Sequence, residues 1–193
     1  MEDEIPAVLD YLRKNPDIYN LGILLVFQTG LRVGELSALK ASDISKQNIR
    51  VSRTEIKYRD ENGKWKLKVD DHTKTEAGTR DIIIPTSALD TIEAIKKLNP
   101  NGEYLFESRG KRIRGNTFNK RVTSMCNKLD MPHRSIHKVR KTYGTTLLDN
   151  NVDEAFVKEQ MGHSDIATTR KLYYFSNKAE NHKKEQIEKA VCF

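Results

Sequence analysis

The stretch Ser135-Ile136-His137-Lys138-Val139-Arg140-Lys141-Thr142-Tyr143-Gly144 governs how the rest of the chain is read. Ile136, Val139, Tyr143 and Leu147 recur at helical spacing and form a core-facing stripe. His137 and Arg140, three residues apart, share an adjacent face and can reach one target together. Both side chains can donate hydrogen bonds to phosphate oxygens, so the pair suits a phosphate group. Taken alone, the pair is equally well a solvated helix face with an incidental histidine.

Three other clusters give the pair its meaning. Upstream, Thr29-Gly30-Leu31-Arg32-Val33-Gly34-Glu35-Leu36 places an arginine between a helix-stopping glycine and a new helix. That position holds a guanidinium near a helix N-terminus, which itself attracts anions. Thr73-Lys74-Thr75 puts a lysine at the tip of two expected strands, where a turn can present it to a substrate. A single turn lysine is ordinarily just solvated. Downstream, Met161-Gly162-His163-Ser164-Asp165 reads as an interhelical corner. Gly162 ends one helix in the left-handed conformation, Ser164 or Asp165 caps the next, and His163 points from the corner. Tyr173 and Tyr174 lie at the end of the helix that this corner begins.

The remaining chain supplies a mainly α architecture (α+β). Ile5, Val8, Leu9 and Leu12 form one helical stripe, and Leu21 to Phe27 opens a more buried helix that Gly30 stops. A short helix is expected over 34–39. The period then changes to strands over 48–58, 64–71 and 80–85, with Asn62-Gly63 as a hairpin signal, predicting one small three-stranded antiparallel sheet. Helices follow over 86–98, 116–129, 135–150, 152–161 and 165–174, with a final polar helix over 178–191. The organisation predicted is one domain over 1–175, which the resemblance described below makes the catalytic domain, and a C-terminal helical tail over 176–193.

Among 193 residues, 34 Lys+Arg against 27 Asp+Glu leave a formal charge of +7. That excess suits a polyanion such as DNA, although many basic domains merely carry a solvated basic surface. Lys111, Arg112, Arg114, Lys120 and Arg121 form a candidate phosphate-contacting group. No apolar run is long enough to span a bilayer, and the acidic N-terminus has no signal-peptide pattern. Two cysteines, Cys126 and Cys192, lie far apart without metal-ligand spacing, which fits reduced thiols in the cytoplasm. No metal site and no cofactor are expected.

In order, spacing and context, the four clusters resemble the tyrosine recombinase (phage-type integrase) family, with a flavour closest to integrases of conjugative transposons and related mobile elements of Gram-positive bacteria. That family's pattern is an arginine box Thr-Gly-Leu-Arg-x-x-Glu, a lysine turn, a His-x-x-Arg helix, a Leu/Met-Gly-His corner and a nucleophilic tyrosine. Arg32, Lys74, His137, Arg140, His163 and Tyr173 stand at those places here. Many members carry the tyrosine one residue earlier, where this chain has Leu172; the longer spacing selects Tyr173, with Tyr174 as the alternative. On the resemblance, the chain corresponds to a catalytic domain whose DNA-clamping domains lie upstream in such proteins.

The resemblance implies attack of the tyrosine oxygen on a phosphodiester of double-stranded DNA, giving a 3′-phosphotyrosyl enzyme and a free 5′-hydroxyl. It further implies Arg32 and Arg140 as braces of the phosphorane, Lys74 as general acid, His137 as base and His163 as donor to the phosphate. A tetramer on paired DNA sites, joined by exchange of the C-terminal tail, is the assembly it implies. Competing readings are a type IB topoisomerase, a DNA-binding regulator that forms no adduct, and a metal-dependent nuclease using His133, His137 and His163.

Overall fold

Hydrophobicity decides which helix occupies the centre. Helix α2 (Ile18–Thr29) buries Leu21, Ile23, Leu24, Leu25 and Val26, so apolar residues surround its axis and it must be covered on all sides. Helices α1 (Glu4–Lys14), α4 (Thr86–Leu98), α5 (Gly115–Lys128) and α6 (Ile136–Asp149) pack around it in this computed structural model. The structure describes residues 4–71, 78–171 and 188. Lys74, Tyr173 and Tyr174 therefore lie outside the described residues, as does nearly all of the expected tail helix.

The ends of α2 follow from local chemistry. The Asp17 side chain accepts hydrogen bonds from the backbone N–H groups of Tyr19 and Asn20 at 3.0 and 2.8 Å, satisfying two donors that the first turn leaves free. Gly30 ends the helix in the left-handed region at φ 65°, as its position in the sequence predicts. The chain then reverses into the short helix α3 (Val33–Ala38), which packs on β2 and α5.

The sheet differs from expectation. The single strand predicted over 48–58 is two strands, β1 (Asn48–Val51) and β2 (Thr54–Arg59). Strand β1 pairs antiparallel with β4 (Arg80–Ile83), while β2 pairs with β3 (Trp65–Asp70), so two ribbons replace the three-stranded sheet. The break at Ser52-Arg53 has a visible cause. The Arg53 guanidinium binds Asp43 at 2.5 Å and Asp71 at 3.4 Å, which pins the crossing between the ribbons. A third ribbon, β5 (Glu107–Ser108) with β6 (Lys111–Arg112), turns through Arg109 and Gly110, both at positive φ. Two-residue strands carry too little periodicity to be read from sequence.

The remaining helices are α7 (Glu154–Met161) and α8 (Ile166–Arg170). The main core runs from α1 to α6, but Leu148, Val157 and Met161 form a separate apolar cluster with Tyr143, Leu147 and Val152 against it. That satellite carries the corner between α7 and α8. Mainly helical architecture with small antiparallel ribbons is thus the fold.

Candidate active site

Strand alternation places a charge in the interior. Along β1 and β4, the inward positions are Ile49, Val51, Ile82 and Arg80, so a guanidinium occupies a core-facing place. Its partner is Glu35, on the first turn of α3. Arg80 Nη1 and Nη2 each donate to the Glu35 carboxylate at 3.0 Å, and Arg80 Nε donates to the Gln160 carbonyl at 2.9 Å. A buried arginine is tolerated only when its fork is satisfied in this way.

Glu35 also organises Arg32, three residues before it. Its carboxylate accepts the Arg32 backbone N–H at 2.8 Å and Arg32 Nη1 at 2.7 Å. Arg32 Nη2 reaches across to the Gly162 carbonyl at 2.5 Å, so the α2–α3 turn is tied to the α7–α8 corner. From α6, Arg140 donates to the carbonyls of Gly30 and Met161. The Thr-Gly-Leu-Arg turn, the His-x-x-Arg helix and the Met-Gly-His corner, distant in sequence, therefore converge as the resemblance implies.

The electrostatics are unbalanced in one direction. Three guanidinium groups, of Arg32, Arg80 and Arg140, surround the one carboxylate of Glu35. Burial alone lifts the Glu35 pKa, yet the hydrogen bonds and charge of Arg80, with Arg32 and Arg140, carry it down to about 2. Arg140 moves the other way, to about 9, because burial and the Arg32 charge oppose its cation. It still stays charged at neutral pH. Three cations around one carboxylate, among the described residues, make an environment that gains from an added anion.

His163 stands at the mouth of this cluster. It follows Gly162, which closes α7 in the left-handed region at φ 62°, and its Nδ1 lies 2.9 Å from Thr169 Oγ1. Burial, then the charges of Arg140, Arg32 and Arg80, push its pKa down to about 4. His137 is exposed on α6 but partly shielded from water by its neighbours, and that partial desolvation, with the charges of Arg140 and Lys141, lowers its pKa. Both shifts favour the neutral ring near pH 7. Arg32, with a side chain 41% exposed, and His163 line one open cleft together with Thr54, Glu55, Ile56, Lys57 and Gly78.

Other sequence candidates divide. Tyr143 packs between the core clusters with its pKa raised to about 12 by burial, consistent with a core role. Arg112 pairs with Glu55 at 2.7 Å and donates to the carbonyl and hydroxyl of Ser37, each at 3.2 Å. Arg121 pairs with Asp17 and donates to Asn20 Oδ1 at 2.8 Å. These two arginines are engaged within the fold, whereas Lys111, Arg114 and Lys120 are exposed. His133 sits apart, 2.8 Å from Thr123 Oγ1, and among the described residues no three His, Cys, Asp or Glu side chains gather as a metal site.

Sequence reasoning missed Arg80 and Gln160. Gln160 closes the network by accepting Ile83 N–H on its side-chain oxygen at 3.1 Å. The available signal was an arginine at an inward strand position, and a glutamate three residues after Arg32, the spacing at which a first-turn carboxylate reaches back to the chain.

The family profile described as the phage integrase family matches residues 1–180. A tyrosine recombinase XerC-like protein of Caldanaerobacter subterraneus subsp. tengcongensis is 32% identical over 170 residues, covering 78% of this chain and 44% of the relative. A tyrosine recombinase XerD of Chlamydia trachomatis serovar D is 30% identical over 183 residues, covering 86% and 54% respectively. The chain thus spans about half the length of the curated relatives it matches. Among solved structures, the Tn1549 transposon integrase in complex with transposon right end DNA superposes with TM-score 0.76 at 18% identity, covering 99% of this chain and 65% of that one. The XerA recombinase does so with TM-score 0.72 at 22% identity, covering 100% and 65%.

Proposed function

Because the chain belongs to the phage integrase family, we propose that it cuts and rejoins double-stranded DNA at specific sites, integrating or excising a mobile element through a covalent tyrosine intermediate. The observation that carries this reading is the cluster of Arg32, Arg80 and Arg140 around the single carboxylate of Glu35, opening through Arg32 and His163 onto one cleft. A phosphodiester placed there supplies the missing negative charge. The names of the relatives, tyrosine recombinases, and of the DNA-bound integrase with the same fold support the same chemistry.

The reaction runs as a phosphoryl transfer. The Tyr173 oxygen forms a bond to phosphorus, the bond from phosphorus to the 5′-oxygen breaks, and Lys74 protonates that leaving oxygen. Neutral His137 takes the tyrosine proton, since a phenol with a pKa of about 10 needs a base near neutrality. Arg32 and Arg140 brace the non-bridging oxygens, and His163 donates to one of them. Rejoining reverses each step with the original or a partner 5′-hydroxyl, and no cofactor or ATP enters. Tyr174 is the alternative nucleophile. We further place Lys111, Arg114 and Lys120 on flanking phosphates, the tail over 176–193 on a neighbouring subunit of a DNA-bound tetramer, and the protein on the bacterial nucleoid. No described helix is long and apolar enough to cross a membrane.

A nicked suicide duplex, from which the cleaved strand diffuses away, traps the intermediate. A protein band shifted by covalent DNA on a denaturing gel is the expected result, lost in Tyr173→Phe and kept in Tyr174→Phe. Retention of the adduct in Tyr173→Phe would transfer the role to Tyr174. No adduct on any target site of the element that encodes the protein, with DNA still bound, would leave a regulator instead.

A further inference from the structure

The β2–β3 ribbon has no core side. Residues 57–59 and 61–68 are all exposed, on both faces, and they include Trp65, Leu67 and Tyr58. A two-stranded ribbon alone is marginal in water, and exposed aromatics on it do nothing for the core. Its backbone ladder of six residue pairs is closed by a turn in which the Asp60 side chain accepts from Asn62 and Lys64 N–H, and cations lie on its rings across the strands. Lys57 Nζ lies 4.4 Å and the Arg59 guanidinium carbon 4.9 Å from the Trp65 ring centroid, and on the other face Lys68 Nζ lies 5.7 Å from that of Tyr58.

Charge separates the two faces. Lys66 pairs with Asp60 at 2.9 Å, and Lys68 lies 4.0 Å from Asp70. On the Trp65 face, Arg59 stands opposite Trp65 and Lys57 opposite Leu67. Among the described residues, no carboxylate lies within ion-pairing distance of Lys57 or Arg59. Both are held in place by a ring that does not neutralise them. The root of the same ribbon, Thr54 to Lys57, is a wall of the cleft that holds Arg32 and His163. Glu55, the acid at that root, is matched by Arg112 at 2.7 Å.

We propose that the Trp65 face of this ribbon is a second DNA-binding surface, continuous with the active-site cleft, on which Lys57 and Arg59 contact backbone phosphates flanking the scissile one. The proposal rests on the preceding reading only in taking the cleft to hold DNA. A protein partner that buried this face would have to strip water from two cations that have no carboxylate partner among the described residues, whereas a phosphate backbone supplies their counter-charge and leaves the ring edge free to rest on sugar. A tryptophan platform also fixes the cations beforehand, so little side-chain freedom is lost on binding.

The test is the binding of the full chain to a fluorescein-labelled random-sequence duplex, followed by anisotropy across a salt series. Loss of two phosphate contacts in Lys57→Gln/Arg59→Gln lowers the magnitude of the slope of log K against log salt by about 2, at roughly 0.9 per contact. Trp65→Ala, which keeps both charges but removes their platform, weakens binding severalfold with the slope nearly retained. Melting temperatures stay near wild type because the side chains lie outside the core. An unchanged affinity and slope in the double variant overturns the proposal. So does a shift in the oligomeric state of the DNA-free chain by sedimentation without a change in slope, which assigns the face to a protein. The readout needs no chemistry. A lowered slope with no phosphotyrosyl adduct removes the recombinase reading and keeps the ribbon; an adduct with an unaltered slope does the reverse.

Discussion

Glu35 touches no substrate in any step above, yet two arginines take their geometry from it. Replacing it by glutamine leaves the Arg80 guanidinium buried against an uncharged amide, and breaking a buried pair of this kind costs about 3–5 kcal/mol. Urea denaturation of Glu35→Gln should show that loss, together with a fall in cleavage rate as Arg32 loses its brace. The pH dependence has a definite sign. Glu35 has a folded pKa of about 2 against 4.5 when unfolded, so its stabilisation is complete above pH 4.5 and disappears as pH falls towards 2. The shift corresponds to roughly 3 kcal/mol at most, and the difference between wild type and Glu35→Gln should narrow across that window. His163 gives a second expectation. Its pKa of about 4 opposes folding as pH drops below 6.5, because the unfolded chain takes the proton first. Imidazole NMR should find the ring neutral down to about pH 4 in the free protein, and titrating higher once DNA places a phosphate beside it. A ring titrating near 6.5 in the free protein would dissociate His163 from the arginine cluster.

At the scale of elements, the tight points are the helix ends. Gly30 closes α2 at positive φ with its α-carbon against the Tyr143 ring, and its carbonyl receives Arg140. Gly30→Ala combines left-handed strain with a steric conflict, so a destabilisation of roughly 2–4 kcal/mol is expected in thermal or urea melts. Cleavage should fall further than stability explains, because the Arg140 fork loses its seat. The glycine ends were legible in the sequence, where Gly30 and Gly162 punctuate apolar periods, whereas the Asp17 cap of α2 was not read there. Helix 86–98 was readable to the residue for the same reason. The strands were less so. Ser52-Arg53 continues the alternating pattern of its neighbours, and only the carboxylates of Asp43 and Asp71, brought in from elsewhere, turn it into a break. Arg32, His137, Arg140 and His163 could be named as candidates because each sits in a motif with a local logic. Arg80 has none. Its meaning depends on Glu35 and Gln160 being opposite it, and pairing across the fold leaves no trace in a one-dimensional pattern.

At the scale of the whole molecule, the buried side chains of the described residues form two apolar clusters of unequal size, and the arginines join them. Arg32 and the α2–α3 turn belong to the main core, whereas Met161, Gly162 and His163 ride on the small cluster of Leu148, Val157 and Met161. Amide exchange should therefore be slowest in α2 and distinctly faster in α7 and α8, since a cluster of few buried side chains opens at lower free energy than the core. Equal protection in both regions would show that they open as one unit. The bonds from Arg32 to Gly162 and from Arg140 to Met161 cross that boundary. On the proposed function, heat should accordingly abolish DNA cleavage before it melts the fold. As temperature rises, α7 and α8 lift from their seat first, carrying the histidine and three arginine-binding carbonyls, those of Gln160, Met161 and Gly162, away while α2 remains packed. Thermal inactivation of DNA cleavage should then have a midpoint several degrees below the far-ultraviolet unfolding transition, and a brief excursion between the two temperatures should be fully reversible on cooling.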